Sequence, residues 1–308
     1  MSSAAGDGRA QQSYRTGLVL VLLGSICASW IGLGVRMMEA ADAWQILFYR
    51  SVGLVVFLLA YLGVRHAANV VDVARIFRQA GLASILGGIG LAVAFSGSIL
   101  AIERASVANA MFVLAAAPFM AAVLGWLVLG ERVRLATWLA IACAFAGVVI
   151  MVIEGVTFGY LWGNAAALMA AGGLAVFVVA LRHGHLTDML PLNVLAGVLA
   201  AIVALTACTL TGAGIAVSFH DVLLGLAMGV FQLGIALVLI TRGSRSVPAA
   251  ELALLTMAEV VLAPVWVWLV LGETAGIYTL VGGALVLGAI YLDAASGLRR
   301  RRLAAGLR

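Results

Sequence analysis

Lysine is absent from this chain of 308 residues, and all 18 basic residues are arginine. Without lysine there is no Walker-type phosphate loop, in which a lysine holds the phosphates, and no Schiff base with retinal or pyridoxal phosphate. Charged residues make up only 10% of the chain, whereas soluble domains carry about 25%. The arginines are scattered between apolar runs rather than clustered with stacking aromatic residues. The sequence therefore predicts neither a soluble globular domain nor a nucleic-acid partner.

Cysteine is also scarce. Cys27, Cys143 and Cys208 each lie inside an apolar run, without the spacing of a metal site or a disulfide framework. The zinc motif HExxH and the nucleophile motif GxSxG do not occur. The sequence therefore predicts no metal and no cofactor, and it does not favour an enzyme.

Hydrophobic residues, in contrast, make up 65% of the chain. They gather in ten runs long enough to cross a bilayer as helices, which takes about 20 residues each. The predicted spans are 16–37, 43–64, 79–102, 106–129, 134–153, 159–181, 190–212, 221–241, 247–271 and 275–296. Short loops join them. Residues 1–15 are predicted to be a disordered cytoplasmic segment, and residues 298–308 a basic cytoplasmic tail.

Arginine is distributed unevenly between the two sides of these spans. With the N-terminus in the cytoplasm, 15 of the 18 arginines fall in cytoplasmic segments, and only Arg36 and Arg104 lie on the opposite side. Arg50 lies inside the second span. Cytoplasmic loops of membrane proteins carry such an excess. The pattern predicts a multi-pass protein of the cell inner (plasma) membrane with both termini cytoplasmic.

One hexapeptide occurs twice in the chain. Residues 126–131 read WLVLGE, and the same letters recur at 268–273, 142 residues later. Each copy closes a span, the fourth and the ninth, so the chain divides into two five-helix repeats over 16–155 and 156–297. Because an odd number of spans reverses the second copy, the repeats are predicted to be inverted. Inverted repeats are the architecture of many alternating-access transporters.

These features resemble the EamA-type members of the drug/metabolite transporter superfamily. The resemblance rests on the two five-helix halves, on a Ser-Val-x-x-Ala start and a Leu-Gly-Glu end of the fourth helix in each half, and on Arg50. It implies a cavity formed mainly by the third, fourth, eighth and ninth helices, with the fifth and tenth at the periphery. Pro118 fits the family's proline in the fourth helix, but Pro264 lies four residues later in the repeat register. The two halves are therefore expected to kink at different depths.

Five residues within the spans are candidates for substrate binding or coupling: Glu259, Gln232, Asn109, Trp30 and Arg50. Polar groups at membrane depth are costly and usually face a cavity or a partner. Glu259, near the midplane, is predicted to couple protons or to bind a cationic substrate group, unless it only bridges helices. Arg50 is predicted to bind a carboxylate or to tie helices together, and Asn109 to bind a ligand or to bridge helices. The tryptophans near span ends, Trp266 among them, are assigned to aromatic belts.

The predicted function is alternating-access transport of a small-molecule substrate across the lipid bilayer. Export of aromatic or neutral amino acids is favoured, and export of drugs or other organic metabolites is the alternative. A channel and an intramembrane enzyme are less favoured, because the spans show neither a ring of charge nor a nucleophile–base pair. The sequence leaves open whether protons are coupled and whether the protein is a monomer or a homodimer.

Overall fold

The structure is a computed structural model that describes residues 2–65, 81–131, 133–184 and 190–306. Within these ranges the regular secondary structure is helical and contains no strand. Ten of the described helices are long and apolar enough to cross a membrane, and we number them α1 to α10. Their spans are Gln11–Arg36, Ala43–Arg65, Gly81–Arg104, Val107–Leu129, Leu135–Glu154, Leu161–His183, Leu190–Leu210, Phe219–Gly243, Leu254–Leu271 and Ile277–Ser296. The predicted all-α class and the ten spans are confirmed.

Three of these helices are interrupted within the membrane. α1 consists of Ser2–Ala28 and Ile31–Arg36, α4 of Val107–Leu114 and Ala117–Leu129, and α8 of Phe219–Ala227, a π-helix over Met228–Ile235, and Ala236–Gly243. Such irregular turns leave backbone groups without their usual helical partners and are frequent at functional sites.

The two halves differ at their prolines. The break in α4 comes just before Pro118. α9 instead runs unbroken over Ala249–Leu271, with Pro264 inside it. The structure thus describes a break at the proline of the first half only, and a kink at Pro264 at a different depth stays a prediction.

The chain divides into two sets of five helices, α1–α5 and α6–α10. α5 extends over Leu135–Phe158 and α10 over Ile277–Gly306. The structure describes helix from Ser2 onward, where the sequence predicts disorder over 1–15. That disorder, like the exact domain boundaries, stays a prediction.

Small residues allow close contact between helices. α3 packs along α6, where a Cβ on Gly90 would lie 2.7 Å from the carbonyl oxygen of Gly173. α5 packs along α10, where a Cβ on Gly147 would lie 2.6 Å from the carbonyl oxygen of Gly282. The α5–α10 pair makes few contacts with the other helices. It lies at the periphery, as the resemblance implies.

α1 and α9 run parallel and in register. Side-chain hydrogen bonds join them at three levels, namely Tyr14 with Glu251, Ser29 with Trp266, and Arg36 with Glu273. Both helices therefore begin on the same side of the bundle. We call the side on which α1 begins the terminal side and the opposite side the distal side.

Among the described residues, α4 and α9 are in contact on the distal side and apart on the terminal side. The first segment of α4, Val107–Leu114, packs on α9, whereas its second segment, Ala117–Leu129, does not pack closely on it. On the distal part of α9, Val260, Ala263 and Val267 are buried. All the described side chains from 251 to 259, on the terminal part, are partly exposed. α4 and α9 therefore meet distally and separate toward the terminal side.

Candidate functional site

Arg50 of α2 is buried in the middle of the bundle, with only 2% of its surface exposed. Its Nε donates a hydrogen bond to Oε1 of Gln232 at 3.0 Å. The guanidinium also lies over the ring of Phe95 from α3, 5.5 Å from the ring centroid. A buried cation needs such partners, because removal from water is costly for an unpaired charge. Arg50 is therefore held in place by α3 and α8.

Gln232 lies in the π-helix of α8 and connects three helices. Its Nε2 donates to the carbonyl oxygen of Ala28 at 3.0 Å. That carbonyl ends the first segment of α1, where the helix break leaves it without its usual partner. α8 approaches α2 closely because Gly229 has no side chain: a Cβ there would overlap the carbonyl oxygen of Arg50. The chain Ala28–Gln232–Arg50 thus links the break in α1 to the buried cation.

Glu259 of α9 is the neighbouring opposite charge. It is partly exposed and lies at the inner end of the open part of α9, next to the buried Val260. The described residues show no direct ion pair between its carboxylate and the Arg50 guanidinium. The bundle thus contains an acid and a base within its spans that no ion pair joins.

Two tryptophans pack on each other at the break in α1. The ring centroids of Trp30 and Trp266 are 5.8 Å apart. Nε1 of Trp266 donates to Oγ of Ser29 at 2.8 Å, in the break of α1. Trp266 follows Glu259 by seven residues, which places it on the same face of α9, about 10 Å farther toward the distal side. Trp30 is 49% exposed and offers an aromatic face for contact.

The assignment of Trp266 to an aromatic belt does not fit these contacts, because its indole bonds to α1 inside the bundle. Its two-turn spacing from Glu259 is the signal in the sequence that could have identified it. Phe95 and Ser29 were also missed. No signal in the sequence distinguishes them, since phenylalanine and serine occur throughout the apolar runs.

Asn109 lies apart from this group. It is fully buried, and its Nδ2 donates to Oγ1 of Thr279 on α10 at 3.4 Å. Oγ1 of Thr279 in turn donates to Glu154 of α5 at 2.6 Å. The structure therefore joins Arg50 to Gln232, and Gln232 to the break in α1 next to Trp30, whereas Asn109 is directed toward the peripheral helices. Of its two predicted roles, the bridge between helices fits this position.

One group of potential metal ligands occurs in the described part of the chain, formed by Glu39, His220 and Asp221 on the distal side. The carboxylate of Asp221 accepts hydrogen bonds from the backbone amides of residues 39–41 at 2.9–3.0 Å. The carboxylate is therefore engaged in fixing the loop between α1 and α2. We assign Asp221 a structural role.

The EamA-like transporter family matches the chain twice, over residues 15–153 and 157–293. The chain belongs to the EamA-like transporter family. The two matched segments correspond to α1–α5 and α6–α10, and they confirm the resemblance seen in the sequence. As an EamA-family protein, it is a multi-pass membrane transporter of small solutes.

A solved structure described as "Crystal structure of protein" is similar to this EamA-family chain. The two share 20% sequence identity with a TM-score of 0.62, and the match covers 94% of this chain and 99% of the other. At this identity the likeness supports the fold alone. No curated protein matches the chain.

Proposed function

We propose that this EamA-family protein exports neutral amino acids, including aromatic ones, by alternating access. The observation that carries the proposal is the pair formed by Arg50 and Glu259. Arg50 is held by Gln232 and Phe95 within the bundle, Glu259 lies at the inner end of the exposed part of α9, and the described residues show no ion pair between them. A zwitterion placed there gives each charge a counter-charge while adding no net charge to the membrane interior.

The chemistry of the two side chains suits the two ends of an amino acid. Arg50 has five N–H donors, and its Nε is engaged by Gln232. Its Nη groups are the donors that would bind the substrate carboxylate, in the bidentate manner typical of arginine. Glu259 would accept hydrogen bonds from the substrate ammonium. Gln232 and Phe95 fix the guanidinium, so little order is lost when the substrate binds.

The aromatic pair supports the choice of substrate side chain. Trp30 and Trp266 lie toward the distal side of Glu259 and offer indole faces rather than charges. A neutral or aromatic side chain would pack there favourably. A charged side chain would lose its hydration without a partner, which is costly.

Export is the direction that we propose, and the separation of α4 and α9 on the terminal side is compatible with it. If the two five-helix repeats are inverted, each half contributes one wall of the path, and the site opens to one side at a time. The arginine distribution predicts that the terminal side is the cytoplasmic one. The open state described here would then load substrate from the cytoplasm, as an exporter requires. A proton gradient would supply the energy for transport, and Glu259 is the carboxylate that would bind and release the proton.

The test is counterflow into proteoliposomes that contain the purified protein. The panel comprises the twenty amino acids and several cationic and neutral drugs, each with and without a pH gradient. We expect saturable counterflow of neutral amino acids. If only the drugs show counterflow, the substrate class is drugs rather than amino acids. Ohmic current without saturation would indicate a channel.

A further inference from the structure

The repeated hexapeptide ends in two glutamates, and each pairs with an arginine of the other half of the chain. Nε of Arg36 lies 2.8 Å from Oε2 of Glu273 on the distal side. Nη1 of Arg182 lies 3.0 Å from Oε2 of Glu131 on the terminal side. Arg36 ends α1, and Arg182 lies in the last turn of α6, the first helix of the second half. The two ion pairs are therefore counterparts in the two repeats.

The distal pair also holds the beginning of α4. Oε1 of Glu273 accepts a hydrogen bond from the backbone amide of Val107, the first residue of α4, at 2.8 Å. Nη2 of Arg36 donates to the carbonyl oxygen of Ala105 at 2.8 Å. The first amides of a helix lack partners within it and favour a carboxylate. The Arg36–Glu273 pair thus fastens α4 to α1 and α9 where the bundle is closed.

Among the described residues, the terminal pair shows fewer contacts than the distal pair. By the shared Ser-Val motif, Val247 before α9 corresponds to Val107, and no hydrogen bond between the described residues Val247 and Glu131 is present. The side chains of Arg182 and Glu131 are 49% and 40% exposed, against 27% and 25% for Arg36 and Glu273. Exposed pairs of this kind contribute little stability. Within the described residues, the pair with fewer contacts lies on the side where α4 and α9 are apart.

We propose that Glu273 and Glu131 are alternating latches, each of which closes its side by capping the fourth helix of the opposing half. In the conformation with the distal side open, Glu273 releases the amide of Val107. Glu131 then accepts an amide from segment 247–250 at the beginning of α9, and Arg182 donates to the carbonyl that precedes it. This exchange rests on the proposed alternating access, and it names the contacts that are made and broken.

The experiment measures distances between spin labels by double electron–electron resonance in nanodiscs. One label pair, at Arg104 and Thr274, spans the distal side, and another, at Val128 and Ser244, spans the terminal side, both in a background with the native cysteines replaced by serine. We expect Glu273→Gln to raise the ratio of distal-open to distal-closed molecules about tenfold, equivalent to about 1.4 kcal/mol. We expect Glu131→Gln, the matched variant in the other repeat, to lower that ratio. Equal or same-direction changes would overturn the proposal.

A second variant tests the cap without touching the ion pair. Val107→Pro removes the amide that Glu273 accepts, and proline is favoured at the first position of a helix. The preceding Ser106 has φ −67° and ψ 148°, which is the conformation that a following proline requires. We expect Val107→Pro to shift the distances in the same direction as Glu273→Gln. An unchanged distribution in this variant would overturn the capping role.

These measurements require no substrate. They therefore separate the latch from the proposed function, since counterflow of amino acids can fail while the distances shift as expected, and the reverse. The proposal stands if the two glutamine variants shift the distal distance in opposite directions, and it falls if they do not.

Discussion

Replacement of Glu259 by glutamine is the most informative change at the candidate site. Glutamine keeps the shape and one acceptor oxygen but removes the negative charge opposite Arg50. Hydrogen bonds to charged groups contribute about 1.5–3 kcal/mol, and neutral ones about 0.5–1.5 kcal/mol. The difference of about 1–2 kcal/mol corresponds to a roughly 5- to 30-fold weaker binding of the substrate ammonium. We therefore expect the half-saturation concentration to rise about tenfold.

The assay is counterflow of a neutral amino acid at several external concentrations, with Glu251→Gln as the matched control. Glu251 lies on the same helix but bonds to Tyr14 near the terminal end of α1, away from Arg50. We expect the half-saturation concentration of Glu251→Gln to stay within about twofold of the parent, because the lost bond is not one that the substrate makes. Both variants are compared with the parent for thermal stability in detergent, which separates lost binding from lost folding.

The same variant distinguishes three roles of Glu259. If the carboxylate binds the ammonium, net transport and exchange both fall, because the charge-assisted bond is lost in every mode. If it couples protons without binding substrate, the pH dependence disappears while exchange is kept. If Glu259→Gln transports like the parent, and Glu259→Leu only lowers thermal stability, the residue is a structural bridge and the binding role is refuted.

The other predictions concern packing and topology. Gly229→Ala places a methyl group against the carbonyl oxygen of Arg50, and we expect a loss of about 1–3 kcal/mol in unfolding free energy; an unchanged melting temperature would show that α2 and α8 do not pack this closely. Thr279→Val removes the donor to buried Glu154, and we expect a loss of about 1–3 kcal/mol in stability with an unchanged half-saturation concentration, whereas altered substrate affinity would link this network to the site. In a variant whose three native cysteines are replaced by serine, a single cysteine at Thr274 should react with an impermeant thiol reagent added outside whole cells. Reaction only after the membrane is broken would reverse the proposed orientation.

The architecture could be predicted from the sequence because membrane helices follow strong constraints. Apolar length defines a span, and the repeated WLVLGE at 126–131 and 268–273 marks equivalent positions in the two halves. The family match over both halves confirms this reading. The positions of the helix breaks were harder to predict. Pro118 points to the break in α4, but no proline accompanies the break at Ser29 and Trp30 in α1.

The candidate site could be predicted from the sequence only in part. Arg50, Gln232 and Glu259 are polar residues in apolar spans, and their cost in the membrane draws attention to them. The same rule also selected Asn109, whose side chain bonds to Thr279 and lies apart from Arg50 and Gln232. A polar residue in a span signals that a partner exists, but the partner's position depends on how the helices pack. Phe95 carries no such cost, so its place beneath Arg50 emerges only in three dimensions.

Competition by substrate analogues tests the central claim most directly. The claim is that Arg50 and Glu259 bind the two charged ends of one amino acid. Counterflow of the best neutral amino acid is measured against its methyl ester, which lacks the carboxylate, and its des-amino acid, which lacks the ammonium. We expect the unmodified amino acid to compete at least about tenfold more strongly than either analogue, since each analogue loses a charge-assisted bond. Equal competition by the amino acid and both analogues would contradict recognition of a zwitterion at this site.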